Sequence, residues 1–383
     1  MFAGIKRFLH EYRGLKAFKA VPREQRKLVF YTESEGYWTY FEPVFNALAN
    51  KDKTPVLYVT SSSTDPFLQQ QPAGLQAFYV GDGAVRTMFF AGLEADVLLM
   101  TMPDLQTFHI KRSPYPVKYV YLHHSLVSTH MVYRPAAFDH FDTILCGGPH
   151  HVEETRAREQ RLGLPAKELV EHGYGRLDAI LAEGIKGPRQ RQPEEPAHVL
   201  VAPTWGENGL LELHANELVA NLLSAGLKVT VRPHPRTGQL RPQVIADMRA
   251  RFDANPYFHF DNEPNARQSL HSADVMISDW SGAALEFAMG LERPVIFVDV
   301  PRKVQNPDYQ QLECEPLEAK IRGQLGVVIA PDQLQTIAKS AQKMASEAEQ
   351  WQQHARIARQ QWVFNVGNSD KIAVNYLDSL IHR

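Results

Sequence analysis

The stretch from residue 273 to 299 constrains the fold of this 383-residue chain more than any other. Two short apolar runs, 275–277 and 295–298, favour buried strands, and a segment of helix formers, 283–289, lies between them and stops at Gly290. A strand, a helix and a second strand in this order are typical of a parallel sheet with helices on its faces. The stretch therefore predicts an open α/β fold.

The loop of this unit joins the carboxyl end of a strand to the amino end of a helix. It consists of Ser278, Asp279, Trp280, Ser281 and Gly282. Open α/β sheets bind anions at such positions, because unpaired N–H groups and the helix dipole point outward and small side chains admit a phosphate. An ordinary capped turn, with Ser281 or Asp279 as the cap, accounts for the loop equally well.

Strand-like and helix-like segments alternate along the rest of the chain in two blocks. The first block contains strand-like runs at 27–31, 55–60, 77–80, 97–101, 117–122, 143–146 and 170–174. The second block contains strands at 198–201, 228–231, 258–260, 275–277, 295–298 and 327–329, with helices near 208–225, 242–254, 265–272 and 331–361. A polar stretch with three prolines, 186–196, separates the two blocks.

This pattern predicts two α/β domains. The expected organisation is a basic amino-terminal segment at 1–26, a first domain at 27–185, a linker at 186–196, a second domain at 197–350, and carboxyl-terminal helices at 351–383. We expect the carboxyl-terminal helices to pack back towards the first domain.

Composition excludes several classes of protein. A hydrophobic content of 44% with 22% charged residues is that of a folded, soluble chain, and the formal net charge of −2 argues against nucleic acid as a partner. Cys146 and Cys314 are too few for a disulfide framework or a zinc site. No apolar run approaches the roughly 20 residues that span a bilayer, so we expect the protein to work in the cytoplasm.

The first 27 residues depart from this average, because they carry a net charge of +6. Six apolar side chains fall at helical spacing on one face: Phe2, Ile5, Phe8, Leu9, Tyr12 and Leu15. A basic amphipathic helix of this kind can lie in the headgroup region of an anionic membrane, which would place the protein on the inner face of the cytoplasmic membrane. The alternative is a helix that packs on the domain behind it.

Polar side chains follow two of the predicted strands at their carboxyl ends, where this architecture places its chemistry. His123 and His124 follow a strand of the first domain, and Arg232 and His234 follow a strand of the second. Imidazole titrates near neutral pH, so one histidine from each domain suits a general base for a hydroxyl and a donor to phosphate. Arg232 would add a charge-assisted contact to phosphate. A histidine or arginine in such a place is also often a solvated or capping residue.

Four motifs together resemble a known family. In chain order they are Gly173-Tyr174-Gly175-Arg176-Leu177-Asp178, Ala202-Pro203-Thr204-Trp205, Arg232-Pro233-His234-Pro235 and Ser278-Asp279-Trp280-Ser281-Gly282. The set resembles the CDP-glycerol glycerophosphotransferases that prime and polymerise polymers of the teichoic-acid type, over about residues 90 to 375. The resemblance implies two Rossmann-like domains of the GT-B type with the active-site cleft between them, a CDP-linked donor on the second domain and an acceptor over the first.

The resemblance also assigns roles to single residues. His124, or its neighbour His123, corresponds to the family's histidine near the acceptor, and His234 corresponds to the histidine that approaches the donor diphosphate. The implied donor-binding residues are Arg232, Pro203, Thr204, Ser278, Asp279, Trp280, Ser281 and Gly282. Glu286, one helical turn after the loop, is a further candidate for the ribose hydroxyls and is otherwise a solvated or helix-pairing glutamate.

Several positions depart from the family's pattern. Ser125 stands where the family usually has glycine, Gly175 stands for proline, and Trp280 and Gly282 stand for tyrosine and serine. These departures indicate a divergent branch with another acceptor or another donor.

The expected reaction is phosphoryl transfer. An acceptor hydroxyl attacks the β-phosphorus of CDP-glycerol, CMP leaves, and glycerol phosphate is joined to a lipid-linked saccharide or a polyol-phosphate chain in cell-surface polymer synthesis. A GT-B nucleotide-sugar glycosyltransferase, a CDP-ribitol-dependent transferase and a UDP-sugar 2-epimerase remain as alternatives. No tightly bound cofactor or metal is expected, an effect of Mg²⁺ stays open, and the sequence does not indicate an oligomeric state.

Overall fold

The computed structural model describes residues 2–51, 55–107, 109–192, 194–262 and 267–382. The chain divides into two compact units. The first unit comprises Met1–Ser125, Tyr133–Arg176 and Phe364–Arg383, and the second comprises Leu126–Val132 and Leu177–Val363. Each unit contains one sheet of parallel strands.

The first unit contains a seven-stranded sheet. Its strands are β1 (Leu28–Thr32), β2 (Val56–Thr60), β3 (Leu75–Tyr79), β4 (Val97–Met100), β5 (Lys118–Leu122), β6 (Thr143–Cys146) and β7 (Glu168–Glu171). They lie in the order β3-β2-β1-β4-β5-β6-β7, and every neighbouring pair is parallel. Leu28 of β1 lies opposite Val56 on one side and Val97 on the other, so the order reverses at the pair β1 and β4.

The second unit contains a six-stranded sheet. Its strands are β8 (His198–Val201), β9 (Lys228–Val231), β10 (Phe258–Phe260), β11 (Val275–Ser278), β12 (Val295–Val298) and β13 (Gly326–Ile329). They lie in the order β10-β9-β8-β11-β12-β13, again with parallel neighbours. The order reverses between β8 and β11, and open α/β sheets bind ligands outside the carboxyl ends of the strands at such a switch point.

The helices connect these strands. In chain order they are α1 (Phe2–Ala20), α2 (Trp38–Lys51), α3 (Ala84–Ala91), α4 (Pro149–Leu162), α5 (Gly175–Ala182), α6 (Leu210–Ser224), α7 (Pro235–Leu240), α8 (Pro242–Phe252), α9 (Gln268–Ser272), α10 (Gly282–Leu291), α11 (Leu317–Lys320), α12 (Arg322–Leu325), α13 (Ile337–Ser346), α14 (Ala348–Trp362) and α15 (Ser369–Ile381). Short 3₁₀ turns occupy Arg23–Gln25, Glu35–Tyr37, Pro66–Leu68, Tyr309–Leu312 and Pro331–Thr336.

Both faces of the first sheet are buried, which explains why its central strands are continuous apolar runs. Alternate residues of one strand enter different cores, because successive side chains of a strand point to opposite faces. Val29 and Tyr31 pack in the core that contains Phe18 of α1, whereas Leu28 and Phe30 pack in the core that contains residues of α2 and α15.

The expected strands overlap the observed ones, but the last strand of the first sheet is displaced. The prediction of a strand over 170–174 is wrong at its carboxyl end, because β7 stops at Glu171. Gly173 has a φ of +102°, and a Cβ atom there would lie 2.5 Å from the carbonyl oxygen of Phe364. The backbone turns sharply at a place that admits only glycine, so the strand cannot continue.

The expected single helix over 331–361 is wrong as well. The structure has a 3₁₀ turn followed by α13 and α14, with a break at Glu347, whose φ and ψ are −99° and 22°. The two helices bury different sets of side chains, since α13 contacts α6 and α14 contacts α10 and α12. A single straight helix could not make both sets of contacts. The helix expected near 265–272 begins at Gln268, and positions 265 and 266 lie outside the described residues.

The expected domain boundaries differ from the observed units in several places. Leu126–Val132 belongs to the second unit, and the middle segment of the first unit ends at Arg176, because Ile180 packs against Gly290 of the second unit's helix α10. The segment 186–196, expected as a linker, is bonded to the second unit where it is described: the Gly187 N–H donates to the carbonyl of Leu291, and Arg189 pairs with Asp274 at 3.1 Å. At the other end of the chain, residues up to 363 remain with the second unit.

The first helix, α1, packs on the first unit along one side only. Leu15 and Phe18 are buried, and a Cβ atom at Gly14 would lie 1.9 Å from the carbonyl oxygen of Tyr79, so the helix backbone approaches β3 closely. Leu15 therefore does not belong to the same exposed face as the other apolar residues, and Phe2 is not described at the side-chain level. Among the described residues, no helix combines the length and the hydropathy required to cross a membrane.

Candidate active site

The loops after four neighbouring strands of the second sheet meet at its carboxyl edge, which is the side on which the parallel strands end. Parallel strands β9, β8, β11 and β12 lie side by side, so their carboxyl ends point the same way. The loops after them carry, in this spatial order, His234, Thr204 with Trp205, Ser281 with Gly282, and Lys303. The three predicted donor-side motifs of this unit and the loop of Lys303, which was not predicted, therefore converge at the switch point of its sheet.

Asp279 and Ser278 hold two of these loops together. Asp279 is 1% exposed, and its carboxylate accepts the backbone N–H groups of Thr204 at 2.7 Å and Leu210 at 3.2 Å. Burial raises the pKa of Asp279, and the hydrogen bonds from these N–H groups oppose the rise. The buried Ser278 hydroxyl donates to the carbonyl of Ala202 at 2.8 Å. Both side chains thus position the loop after β8 and do not face outward.

Trp280 also points inward. Its indole N–H donates to the carbonyl of Val300 at 2.8 Å, and the guanidinium carbon of Arg322 lies 3.3 Å from the centre of its ring. The next two residues are only half-buried: Ser281 caps α10 by accepting the N–H of Ala283 at 3.3 Å, and Gly282 begins the helix. Of the predicted loop, Ser281 and Gly282 are therefore the residues that face the edge of the sheet.

His234 is the N-cap of the short helix α7. Its Nδ1 accepts the backbone N–H of Arg236 at 3.2 Å, so the neutral ring carries its proton on Nε2. Burial, with the positive charges of Lys303 and Arg236, lowers the pKa of His234 to about 4. At neutral pH this imidazole is an uncharged donor whose Nε2–H is available to a phosphate oxygen.

Trp205 lies between two cations, Lys303 and Arg236, that the sequence motifs do not mark. The ammonium of Lys303 is 3.8 Å from the centre of the Trp205 ring, and the guanidinium carbon of Arg236 is 4.1 Å from it. Lys303 also donates to the hydroxyl of Thr204 at 3.2 Å. The available signal was the position of Lys303, which follows β12 as the other candidates follow their strands.

Three further donor-side candidates lie in the same unit. Pro203 is buried beside Thr204, and Arg232 is half-buried directly after β9. Glu286 is 6% exposed on α10, one turn after Gly282.

His124 is the more accessible of the two adjacent histidines after β5. It is half-buried after β5, and its Nδ1 lies 3.0 Å from the hydroxyl of Tyr121 while its Nε2 lies 3.4 Å from the hydroxyl of Tyr133. The rings of Tyr37 and Tyr40 approach it with centroid distances of 5.4 and 6.0 Å. Four tyrosine side chains thus surround this imidazole and hold it in place.

His123 occupies a different environment from its neighbour. It is 2% exposed, it stacks on His151 at a centroid distance of 3.7 Å, and neither of its ring nitrogens has a hydrogen-bond partner among the described residues. Burial, with three nearby histidines and His124, lowers its pKa well below 6.5. Although His150, His151 and His172 are also buried here, no group of three or more potential ligands among the described residues is arranged to hold a metal ion.

The Gly173–Asp178 motif supports the loop that carries His124. The hydroxyl of Tyr174 donates to the backbone carbonyl of His124 at 3.2 Å, and Arg176 donates to the hydroxyl of Thr39 at 3.3 Å. Its role in the first unit is therefore to position the histidine loop.

The comparisons with known proteins bear on this arrangement. The sequence profile of the family described as CDP-glycerol:poly(glycerophosphate) glycerophosphotransferase matches residues 149–305. This segment contains the four converging loops of the second unit. The match covers less than half of the chain, and residues 149–305 are similar to that family. The resemblance inferred from the motifs is confirmed over these four loops, and the matched range does not include His124. No curated protein matches the chain in sequence.

Solved structures resemble the whole chain at low identity. The wall teichoic acid polymerase TagF superposes with a TM-score of 0.58 at 12% identity, covering 99% of this chain and 98% of the other. A UDP-N-acetylglucosamine 2-epimerase from Neisseria meningitidis superposes with a TM-score of 0.57 at 13% identity, covering 92% of this chain and 100% of the other. A protein described as a UDP-N-acetylglucosamine 2-epimerase from Listeria monocytogenes superposes with a TM-score of 0.57 at 14% identity, covering 93% of this chain and 96% of the other. These similarities establish the fold alone, and they confirm two Rossmann-like domains of the GT-B type. The cleft between the domains stays a prediction.

Proposed function

We propose that this protein transfers glycerol phosphate from CDP-glycerol to a hydroxyl group of a lipid-linked saccharide or polyol-phosphate acceptor and releases CMP. The observation that carries the proposal is the family match over residues 149–305, which includes the loops of His234, Ser281 and Lys303 at one edge of the second sheet. Neutral and cationic hydrogen-bond donors converge there, as binding of a diphosphate requires.

The donor is bound by the second unit in this proposal. The backbone N–H groups at Ser281 and Gly282 lie at the amino end of α10, where the helix dipole favours an anion. Neutral His234 donates from Nε2 to a non-bridging oxygen of the diphosphate, and Arg232 supplies positive charge. Glu286 receives the ribose hydroxyls. Asp279 acts indirectly, because it fixes the backbone at Thr204.

The acceptor is activated by His124. With its Nδ1–H donating to the hydroxyl of Tyr121, the Nε2 lone pair acts as the base, and the acceptor hydroxyl takes the place of the Tyr133 hydroxyl, which lies 3.4 Å from Nε2. The acceptor oxygen then bonds to the β-phosphorus, its proton moves to Nε2, and the bond from phosphorus to the bridging oxygen breaks. The electron pair of that bond leaves with CMP. His123 is too buried to meet an acceptor and is a packing residue.

The competing reactions differ in where charge develops. Transfer of a sugar creates positive charge at carbon, which carboxylates stabilise. The carboxylate of Asp279 already accepts two backbone N–H groups, that of Glu212 accepts the hydroxyl of Thr237, and Glu286 is assigned to the ribose hydroxyls. This favours attack at phosphorus over a glycosyltransferase or a UDP-sugar 2-epimerase, although the epimerases share the fold.

The reaction is tested by its leaving group. Incubation with CDP-glycerol and a lipid-linked saccharide is expected to release CMP and to leave a glycerol phosphate diester on the acceptor, as followed by nucleotide chromatography and by mass spectrometry of the acceptor. Parallel reactions contain CDP-ribitol and UDP-N-acetylglucosamine. Release of CDP or UDP with a glycosidic product would overturn the proposal. CMP release with CDP-ribitol only would leave the reaction class standing and correct the donor.

The proposal includes peripheral binding to an anionic membrane through α1. Four apolar side chains of this helix are exposed by 42% to 52%: Ile5, Phe8, Leu9 and Tyr12. On a helix of 3.6 residues per turn, this apolar face borders the exposed Lys6, Arg13 and Lys16. Exposed aromatic residues beside basic residues suit the headgroup region, where a lipid-linked acceptor would be presented.

Charge reversal on α1 tests membrane binding without disturbing the buried side of the helix. The variant Lys6→Glu/Lys16→Glu is expected to bind vesicles containing phosphatidylglycerol more weakly by at least about 2 kcal/mol, because each basic residue near an anionic surface contributes about 1 kcal/mol. Vesicle sedimentation measures the difference. The control is Lys339→Glu/Lys343→Glu on α13, which makes the same change of charge on another exposed helix face. Equal binding by both double variants would leave α1 as a packing element only.

A further inference from the structure

Two cations, Lys303 and Arg236, contact the ring of Trp205. In the parts of the chain that the structure describes, neither Lys303 nor Arg236 forms an ion pair, whereas two arginines near the same loop do: Arg302 pairs with Glu315 at 2.9 Å, and Arg322 pairs with Asp299 at 2.7 Å. The unpaired cations are those that lie on the Trp205 ring. His234 completes the group, with its ring centre 6.0 Å from that of Trp205.

The surroundings of Lys303 leave its charge incompletely balanced. Asp279 from the loop after β11 and Glu212 from α6 attract the ammonium, and Arg236 from α7 repels it. Both carboxylates have other partners, since Asp279 accepts backbone N–H groups and Glu212 accepts the hydroxyl of Thr237 at 3.0 Å. Burial lowers the pKa of Lys303 to about 8, because these attractions do not offset the loss of water.

We propose that Lys303 is a donor-binding residue whose ammonium, held on the ring of Trp205 and bonded to the hydroxyl of Thr204, receives the diphosphate of the bound nucleotide together with Arg236 and His234. The inference rests on the proposed function only in taking the ligand to be a nucleoside diphosphate. The phosphate supplies the negative charge that the protein does not provide. Lys303 then lies where charge accumulates on CMP as the bond to the bridging oxygen breaks.

Donor binding is consequently linked to a proton. A phosphate beside Lys303 favours the charged ammonium and raises its pKa, so the fraction that is neutral in the free protein takes up a proton on binding. With a pKa of about 8 in the free protein, the uptake at pH 8 is about half a proton per site. His234 contributes little at this pH, since its pKa in the free protein is about 4.

Calorimetric titration with CDP at pH 8 tests both parts of the inference. The heat is measured in two buffers with different ionisation enthalpies, and the difference gives the number of protons taken up. Lys303→Met is expected to bind CDP about 10- to 100-fold more weakly, without proton uptake, because a charge-assisted contact is lost. Lys303→Arg keeps the charge but does not titrate near pH 8, so it is expected to retain affinity within a few-fold and to lose the uptake.

The control variant is Lys228→Met. Lys228 is exposed at the amino end of β9, at the opposite edge of the same sheet, and its replacement is expected to change neither affinity nor uptake. Unaltered CDP affinity and proton uptake in Lys303→Arg and Lys303→Met would overturn the inference. Binding of UDP instead of CDP, with an uptake that depends on Lys303, would support the inference and would overturn CDP-glycerol as the donor.

Discussion

Replacing His124 by alanine is expected to lower the rate of CMP release about 10²- to 10⁴-fold, which is the usual contribution of a positioned general base. The imidazole is half-buried at the end of β5, with the hydroxyl of Tyr121 3.0 Å from its Nδ1. The variant leaves the donor loops of the second unit unchanged, so CDP is expected to bind with the affinity of the unmodified protein. The loss then appears in kcat.

Two buried tyrosines of the same strand provide a matched comparison. Tyr121→Phe removes the hydroxyl that orients His124, whereas Tyr119→Phe removes one that accepts the backbone N–H of Ser113 at 2.8 Å, away from the histidine. Only the first is expected to lower kcat. If His124→Ala kept more than about a tenth of the rate with unaltered CDP binding, His124 would not be the base.

The variant His123→Gln distinguishes the role of His123 from that of His124. Because His123 stacks on His151 in the interior, its replacement is expected to lower the melting temperature and to leave kcat per folded molecule unchanged. A selective loss of kcat in this variant would exchange the roles of the two residues.

The strands of both sheets could be predicted from the sequence because strands buried on both faces require uninterrupted apolar runs. The runs at β1, β2, β4 and β12 are entirely buried. The displaced prediction at β7 has the same cause. This edge strand, Glu-Leu-Val-Glu, is partly exposed along its length, so the apolar signal that marks the other strands is weak there.

The proposed donor-binding loops could be predicted in position, but the orientation of their side chains could not. A loop after a parallel strand must lie at the carboxyl edge of the sheet, which places Ser278–Gly282 correctly. Whether each side chain turns inward or outward depends on neighbours from other strands. Trp280 turns inward because its indole N–H bonds to the carbonyl of Val300 and Arg322 packs on its ring. Both partners lie far from Trp280 in the sequence.

Lys303 is a residue whose role could not be predicted from sequence motifs. It lies at a strand end like the other candidates, but its chemistry depends on Trp205 and Thr204, which are about 100 residues earlier in the sequence. The face of α1 is a similar case, since the six apolar residues at helical spacing cannot indicate that Leu15 turns towards β3 while Ile5 and Phe8 stay exposed.

Acidification is expected to destabilise both units because each contains a buried neutral histidine. His198 of the second unit is 2% exposed, with Nδ1 2.7 Å from the carbonyl of Ser272 and Nε2 2.8 Å from the hydroxyl of Thr230. Burial lowers its pKa to about 4. His172 of the first unit is 1% exposed, and burial lowers its pKa to about 4 as well.

The direction of the pH dependence follows from how each histidine binds protons in the folded and unfolded states. An unfolded histidine titrates near 6.5, so between pH 6.5 and 4 the unfolded chain binds more protons than the folded protein does. The full stability is therefore present above pH 6.5 and is lost as the pH falls towards 4. The loss from pH 8 to pH 5 is about 2 kcal/mol for each histidine.

Urea denaturation followed by circular dichroism at pH 8, 6 and 5 measures this loss in the free energy of unfolding. His198→Gln and His172→Gln each lower stability at pH 8, since they remove buried contacts, but each is expected to flatten the dependence on pH by the contribution of one histidine. His259→Gln, at an exposed position of β10, is expected to leave that dependence unchanged. Curves for His198→Gln and His172→Gln that ran parallel to the original between pH 8 and 5 would show that acid acts through other groups.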